Sequence, residues 1–133
     1  MRVSITENEV AKQIVDAAYA VHTRLRPGLL ESMYEAVIAC EIEQRDLRAD
    51  RQVAIGIRYD NLSVPEAFRA DLVVENKVIV EPKSVEAVAP VHKKQLLTYL
   101  RLADKGLGRL INFGAETIRE GIHRVANRMP DPT

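Results

Sequence analysis

Two short runs in the middle of the chain constrain its fold more than any other feature. Phe68–Glu75 (FRADLVVE) and Val78–Glu81 (VIVE) are apolar on both faces of an extended chain rather than at alternate positions. Strands of this kind have to be covered on both sides, so they read as central strands of a sheet with helices packed over it. The link between them is short enough for a tight antiparallel turn. Its length decides what faces what. A two-residue loop, Asn76-Lys77, would set Asp71 opposite Pro82, whereas a three-residue loop, Glu75-Asn76-Lys77, sets Asp71 opposite Glu81. Directly opposed residues point to the same face, with Cβ atoms roughly 4.5–5.5 Å apart. Hydrophobic pattern cannot choose between the two, because both strands are apolar throughout. The three-residue loop, or a bulge of equal effect, is the expectation.

That register matters because the few polar residues here carry chemistry. Asp71 interrupts the first run, and Glu81 and Lys83 flank Pro82 at the end of the second. Residues two apart share a strand face, so the Glu81 and Lys83 side chains leave the backbone roughly 6.6 Å apart on one side. Mg²⁺ prefers oxygen ligands and takes one or two carboxylates while keeping several waters. Asp71 and Glu81 can supply those carboxylates, and Lys83 can reach a water and a phosphate oxygen beside the ion. Phosphodiester hydrolysis needs these parts: a cation, an activated water and positive charge for the developing oxyanion. Pro82 donates no ladder hydrogen bond, but its carbonyl is one further oxygen for a cation.

The flanking sequence supplies the helices. Thr6-Glu7-Asn8-Glu9 reads as a capping box, and Val10, Ile14, Ala17, Ala18, Val21 and Leu25 follow at helical spacing, predicting a helix over 7–25. Arg26-Pro27-Gly28 ends it. A second helix over about 30–46 places Leu30, Met33, Tyr34, Val37 and Ile38 inside and Glu35, Glu41, Glu43 and Arg45 outside. Val53, Ile55, Ile57 and Tyr59 alternate as a half-buried strand, closed by Asp60-Asn61. Pro90 suits the first turn of a helix reaching about Ala103, and Leu107–Phe113 reads as another strand. Glu116–Asn127 fits either a helix or a turn followed by an edge strand. The order is α-α-β-β-β-α-β, an α/β (α+β) fold with a mixed sheet. One domain over 1–128 and a frayed tail over 129–133 are expected.

On the helix after Pro90, His92, Gln95 and Tyr99 fall on one face. Gln95 can orient a water or bond Lys83, and Tyr99 can contact phosphate; both are equally consistent with packing groups that have a polar tip. His92 reads as a helix-start surface residue, with Lys93 and Lys94 as candidate backbone contacts. Glu31 stands at the start of the second helix, either complementing its dipole or serving as an additional metal ligand. Arg45, Arg48 and Arg51 read as a solvated helix end, with a phosphate track as the lesser reading.

Composition narrows the function classes. Nineteen basic residues against nineteen acidic give zero formal charge, so contact with a polyanion must come from a local patch. A single cysteine, Cys40, excludes an internal disulfide and a cysteine-rich metal site; in its helical pattern it reads as a small buried hydrophobe. Aromatic content of 5% argues against a surface for stacking many bases. With no long apolar run and no apolar signal core near the start, the expectation is a cytoplasmic protein without membrane contact.

These motifs resemble the PD-(D/E)XK nuclease superfamily and, within it, the small bacterial and archaeal GxxExxY proteins. The resemblance spans nearly the whole chain. Gly28-Leu29-Leu30-Glu31-Ser32-Met33-Tyr34 matches the GxxExxY motif; Asp71, then Glu81-Pro82-Lys83, then Gln95-Leu96-Leu97-Thr98-Tyr99 match the acid, (D/E)xK and QxxxY motifs in order. The QxxxY element looks like that of RecB-type and lambda-type exonucleases. The resemblance implies that Asp71 and Glu81 bind Mg²⁺ or Mn²⁺ and that Lys83 assists a water nucleophile, with Gln95 and Tyr99 supporting the site and the DNA. It also puts Glu31 where the superfamily often has an acid or histidine. Pro82 departs from the larger apolar residue usual before the lysine. The implied function is divalent-metal-dependent hydrolysis of DNA, of exonuclease or repair type, with RNA as an alternative substrate. The rival is a nuclease fold kept as a non-catalytic module that binds nucleic acid or a protein. So small a chain has little surface for a duplex, so a homo-oligomer or a larger complex is expected.

Overall fold

The structure, a computed structural model, describes residues 4–129; most of the expected tail lies outside the described residues. The elements are α1 (Glu7–Leu25), α2 (Glu31–Glu43), β1 (Ala49–Tyr59), β2 (Leu62–Val74), β3 (Val78–Lys83), α3 (Pro90–Ala103), β4 (Leu107–Asn112), α4 (Ile118–Gly121) and β5 (Ile122–Ala126). They form a mixed α/β fold around one five-stranded sheet of order β1-β2-β3-β4-β5. Among the described residues only the β3–β4 pair is parallel. A parallel pair needs a crossover, which α3 provides.

Each face of the centre of the sheet is covered by its own helices. α1 starts on the Thr6–Glu9 capping box, with reciprocal bonds of 3.2 Å. Its stripe of Val10, Ile14, Ala17, Ala18 and Val21 packs with Tyr34, Ile38 and Ile42 of α2 against Leu72, Val74, Val78 and Val80. Tyr34 stacks on Phe113, ring centroids 4.6 Å apart. On the opposite face Leu96 and Leu100 of α3 cover Val73, Ile79 and Leu110. β2 and β3 are thus covered on both sides, as their unbroken apolar runs require.

Residues 75–77 form the three-residue turn, with Glu75 and Asn76 at φ 51° and 55° and the Lys77 N–H donating to the Val74 carbonyl at 3.0 Å. The pairs Leu72↔Val80, Val73↔Ile79 and Val74↔Val78 follow from it. β1 and β2 are longer than the alternating pattern suggested and pair with each other along a ribbon. Between Ile55 and Ile57 on one strand, and Val64 and Phe68 on the other, the register shifts. That irregularity accommodates Pro65, which could not donate to a regular ladder.

Several expectations are corrected. α2 is shorter than the 30–46 span, and Leu30 is 75% exposed at its N-cap while Met33 is also exposed. Cys40 is exposed rather than buried. Glu35, expected outside, is buried. Helical spacing gives the periodicity of a face but not which part of it another element reaches. Residues 116–127 take the second of the two readings: a single turn, α4, and then edge strand β5 antiparallel to β4. Gly121 makes that corner. A Cβ there would lie 2.2 Å from the Asn112 carbonyl oxygen, closer than any contact allows. Gly121→Ala is therefore expected to cost about 2–3 kcal/mol, read as a lower urea midpoint; an unchanged midpoint would show that the corner yields freely.

Among the described residues no helix is long and apolar enough to cross a membrane.

Candidate active site

The sheet forks at its centre. β2 and β3 are paired only as far as Leu72↔Val80. Beyond that point β2 continues against β1, while β3 continues against β4 to Lys83↔Asn112. Asp71 and Glu81 are the next residues of the β2–β3 register, so they face each other across the opening. The Asp71 N–H, released from the strand ladder, donates to Glu81 Oε1 at 3.3 Å. Asp71 shares the strand face of Val73, and Glu81 and Lys83 share that of Ile79, which α3 covers.

Pro82 is explained by the same fork. The Phe113 N–H donates to the Lys83 carbonyl at 2.8 Å, so the backbone groups of Lys83 face β4. Backbone groups of successive strand residues turn to opposite neighbours, so those of Pro82 face β2, where pairing has already ended. The missing N–H breaks no bond there, and the Pro82 carbonyl is directed toward the opening.

Glu81 is only 6% exposed. Burial first, then the hydrogen bond and negative charge of the Asp71 side chain, push its carboxyl from 4.5 up to about 9, against smaller downward pulls from the Asp71 N–H and then the Lys83 ammonium. Metal-free, burial and the facing Asp71 favour the protonated form of this carboxyl. Two facing carboxyls whose joint ionisation is opposed by burial form a hard-oxygen donor set that a divalent cation would satisfy in the proton's place. The residues therefore fit a divalent metal. Tyr99 is half-buried against Phe68, centroids 5.0 Å apart. Burial and then the charges of Glu81 and Asp71 raise its hydroxyl pKa, keeping it a donor.

Gln95 lies exposed on the flank of α3. Glu31 is brought near the end of β3, its Oε1 accepting from the Ser84 N–H at 3.4 Å. It does not join the pair: among the described residues no three His, Cys, Asp or Glu side chains are grouped closely enough to hold a metal ion. The surrounding motif shapes a loop. Gly28 has φ +127°, a value that other residues rarely adopt. The Tyr34 hydroxyl donates to the Arg26 carbonyl and accepts from the Leu29 N–H, and the Ser84 hydroxyl donates to the Leu29 carbonyl at 2.7 Å. The loop is thereby docked on the residue that follows Lys83. From the other side, buried Asn112 holds the outgoing chain through both backbone groups of Val85. His92 caps α3, its Nδ1 accepting from the Ala89 N–H at 3.1 Å.

Gln52, which the sequence pattern did not single out, reaches the site, and Glu35 and Arg51 stand behind it. Gln52 Nε2 donates to Glu35 Oε1 at 2.8 Å and to Asp71 Oδ1 at 3.3 Å. Arg51 Nε donates to Glu35 Oε2 at 2.9 Å, so Arg51 is no part of a solvated helix end. The only trace of this in the sequence was Glu35 at i+4 from Glu31 on one helix face.

The model of the PD-(D/E)XK nuclease superfamily matches residues 8–125 of the chain. No curated protein matches it, and no solved structure does.

Proposed function

From the premise that this chain belongs to the PD-(D/E)XK nuclease superfamily, whose members are generally divalent-metal-dependent nucleases, we propose that it hydrolyses DNA phosphodiester bonds using Mg²⁺ or Mn²⁺. The supporting observation is the fork: two carboxyls from adjacent strands face each other, with a lysine on the same strand face as one of them. Asp71 and Glu81 hold the ion, and the Pro82 carbonyl offers a third oxygen. When bound, the ion supplies charge to polarise the phosphate and lower the pKa of a water. Lys83 holds the attacking water and faces the charge that develops on the phosphate oxygens. Tyr99, kept protonated, donates a hydrogen bond toward substrate, and exposed Gln95 lines the approach. Glu31 acts on the site through Ser84, fixing the chain beyond Lys83.

An exonuclease or repair-type activity is the finer reading, supported by the Gln95–Tyr99 spacing; assignment to the GxxExxY group is supported by the Gly28–Glu31–Tyr34 loop. The test is a panel of labelled single- and double-stranded DNA and RNA incubated with Mg²⁺ or Mn²⁺, with Lys83→Ala protein as control. Cleavage that needs metal, acts on DNA and disappears in the control is expected. Metal binding without turnover on any substrate would overturn catalysis and favour the non-catalytic module.

A further inference from the structure

Gln52 takes a positive φ inside β1, beside the site. It sits where the β1–β2 register would oppose it to Asp71, between the pairs Arg51↔Leu72 and Val53↔Ala70, yet it drops out of the ladder with φ 53°. A non-glycine residue in that conformation costs on the order of 1 kcal/mol or more and persists only where surrounding structure enforces it. What it gains is reach. We propose that Gln52 is a positioning residue for the cation site, holding one carboxylate oxygen of Asp71 and leaving the other free to bind metal. This inference rests on the nuclease reading above.

The chemistry of the amide suits the role. Its nitrogen carries two hydrogens, and it has two acceptors: Glu35 Oε1 at 2.8 Å and Asp71 Oδ1 at 3.3 Å. Glu35 is a fixed anchor, 6% exposed and bonded through its other oxygen to Arg51 at 2.9 Å. Arg51, Glu35, Gln52 and Asp71 thus form one chain of contacts from β1 and α2 to the fork. A neutral donor also orients Asp71 without a competing positive charge. A lysine or arginine in its place would neutralise the carboxylate that the ion needs. The left-handed turn takes Gln52 out of the ladder at the one place where β1 passes both carboxylates. Donors that orient metal-binding groups typically matter by 10–100-fold in affinity or activity.

Gln52→Gly relieves the positive-φ backbone while removing the amide, and with it the bonds to Asp71 and to buried Glu35. Relief of the backbone offsets the bond lost by Glu35, which keeps its bond to Arg51, so the metal-free variant is expected to stay folded with a urea midpoint near that of wild type. Its Mn²⁺ affinity by calorimetry should be weaker by about tenfold or more. In the metal-free protein, the ¹³C resonance of the Asp71 carboxyl should move. Mn²⁺ affinity within twofold of wild type overturns the proposal. If wild-type protein binds no Mn²⁺, the nuclease reading fails by itself, and the Asp71 resonance then decides: movement supports the positioning role and an unmoved signal overturns it.

Discussion

Lys83→Ala protein is expected to lose cleavage by on the order of a thousandfold at saturating metal, the loss typical when one donor to a developing oxyanion is removed. Stability should change little, by under about 1 kcal/mol, because Lys83 is half-exposed at the last position of β3. Its carbonyl, which accepts from the Phe113 N–H, is unaffected by the substitution. Mn²⁺ affinity should stay near or slightly above wild type, since the ammonium opposes a second cation beside Glu81. The discriminating measurement is single-turnover cleavage alongside calorimetry on one preparation. Equal losses of rate and metal affinity would mean that Lys83 shapes the cation site; an undiminished rate would remove it from the reaction.

Glu81→Gln is expected to stabilise the metal-free protein and abolish tight metal binding. Folding raises this carboxyl from 4.5 to about 9, chiefly by burial. Its contribution to stability is therefore fully present below about pH 4.5 and lost as pH rises toward 9. Within that window the folded state holds a proton that the unfolded chain has released. Wild-type stability should fall there by up to about 1.4 kcal/mol for each pH unit, other groups aside. The glutamine variant cannot ionise, so its advantage should grow across the same window. For the same reason, Mn²⁺ binding to wild type near pH 7 should release close to one proton per ion, read by calorimetry in buffers of different ionisation enthalpy. Parallel stability curves for the two proteins between pH 5 and 9 would contradict a protonated Glu81.

The placement of the candidate site residues was legible where their spacing is local. Glu81 and Lys83 share a strand face whatever surrounds them, and Gln95 and Tyr99 share a helix flank. The burial of Tyr34 was legible from periodicity, and so was the course of α1. The reach of Gln52 was not. It depends on a left-handed residue inside a strand, which leaves no mark in hydrophobic pattern or propensity. Glu35 was misread for a related reason: a helix face beside charged residues looks solvated until β1 folds over it with Arg51.

By itself, the order of residues determined which segments become strands and helices, that β2 and β3 lie in the middle, and that two acids and a lysine stand near their ends. These follow from short-range geometry and from the need to cover apolar surface. The pairing of Asp71 with Glu81 was decided only in three dimensions. Two strands apolar on every side bury equally well in either register, so the choice fell to a turn in which Glu75 and Asn76 both take positive φ. The raised proton affinity of Glu81 was decided there too, because it comes from the water that β2, β3 and α3 together exclude.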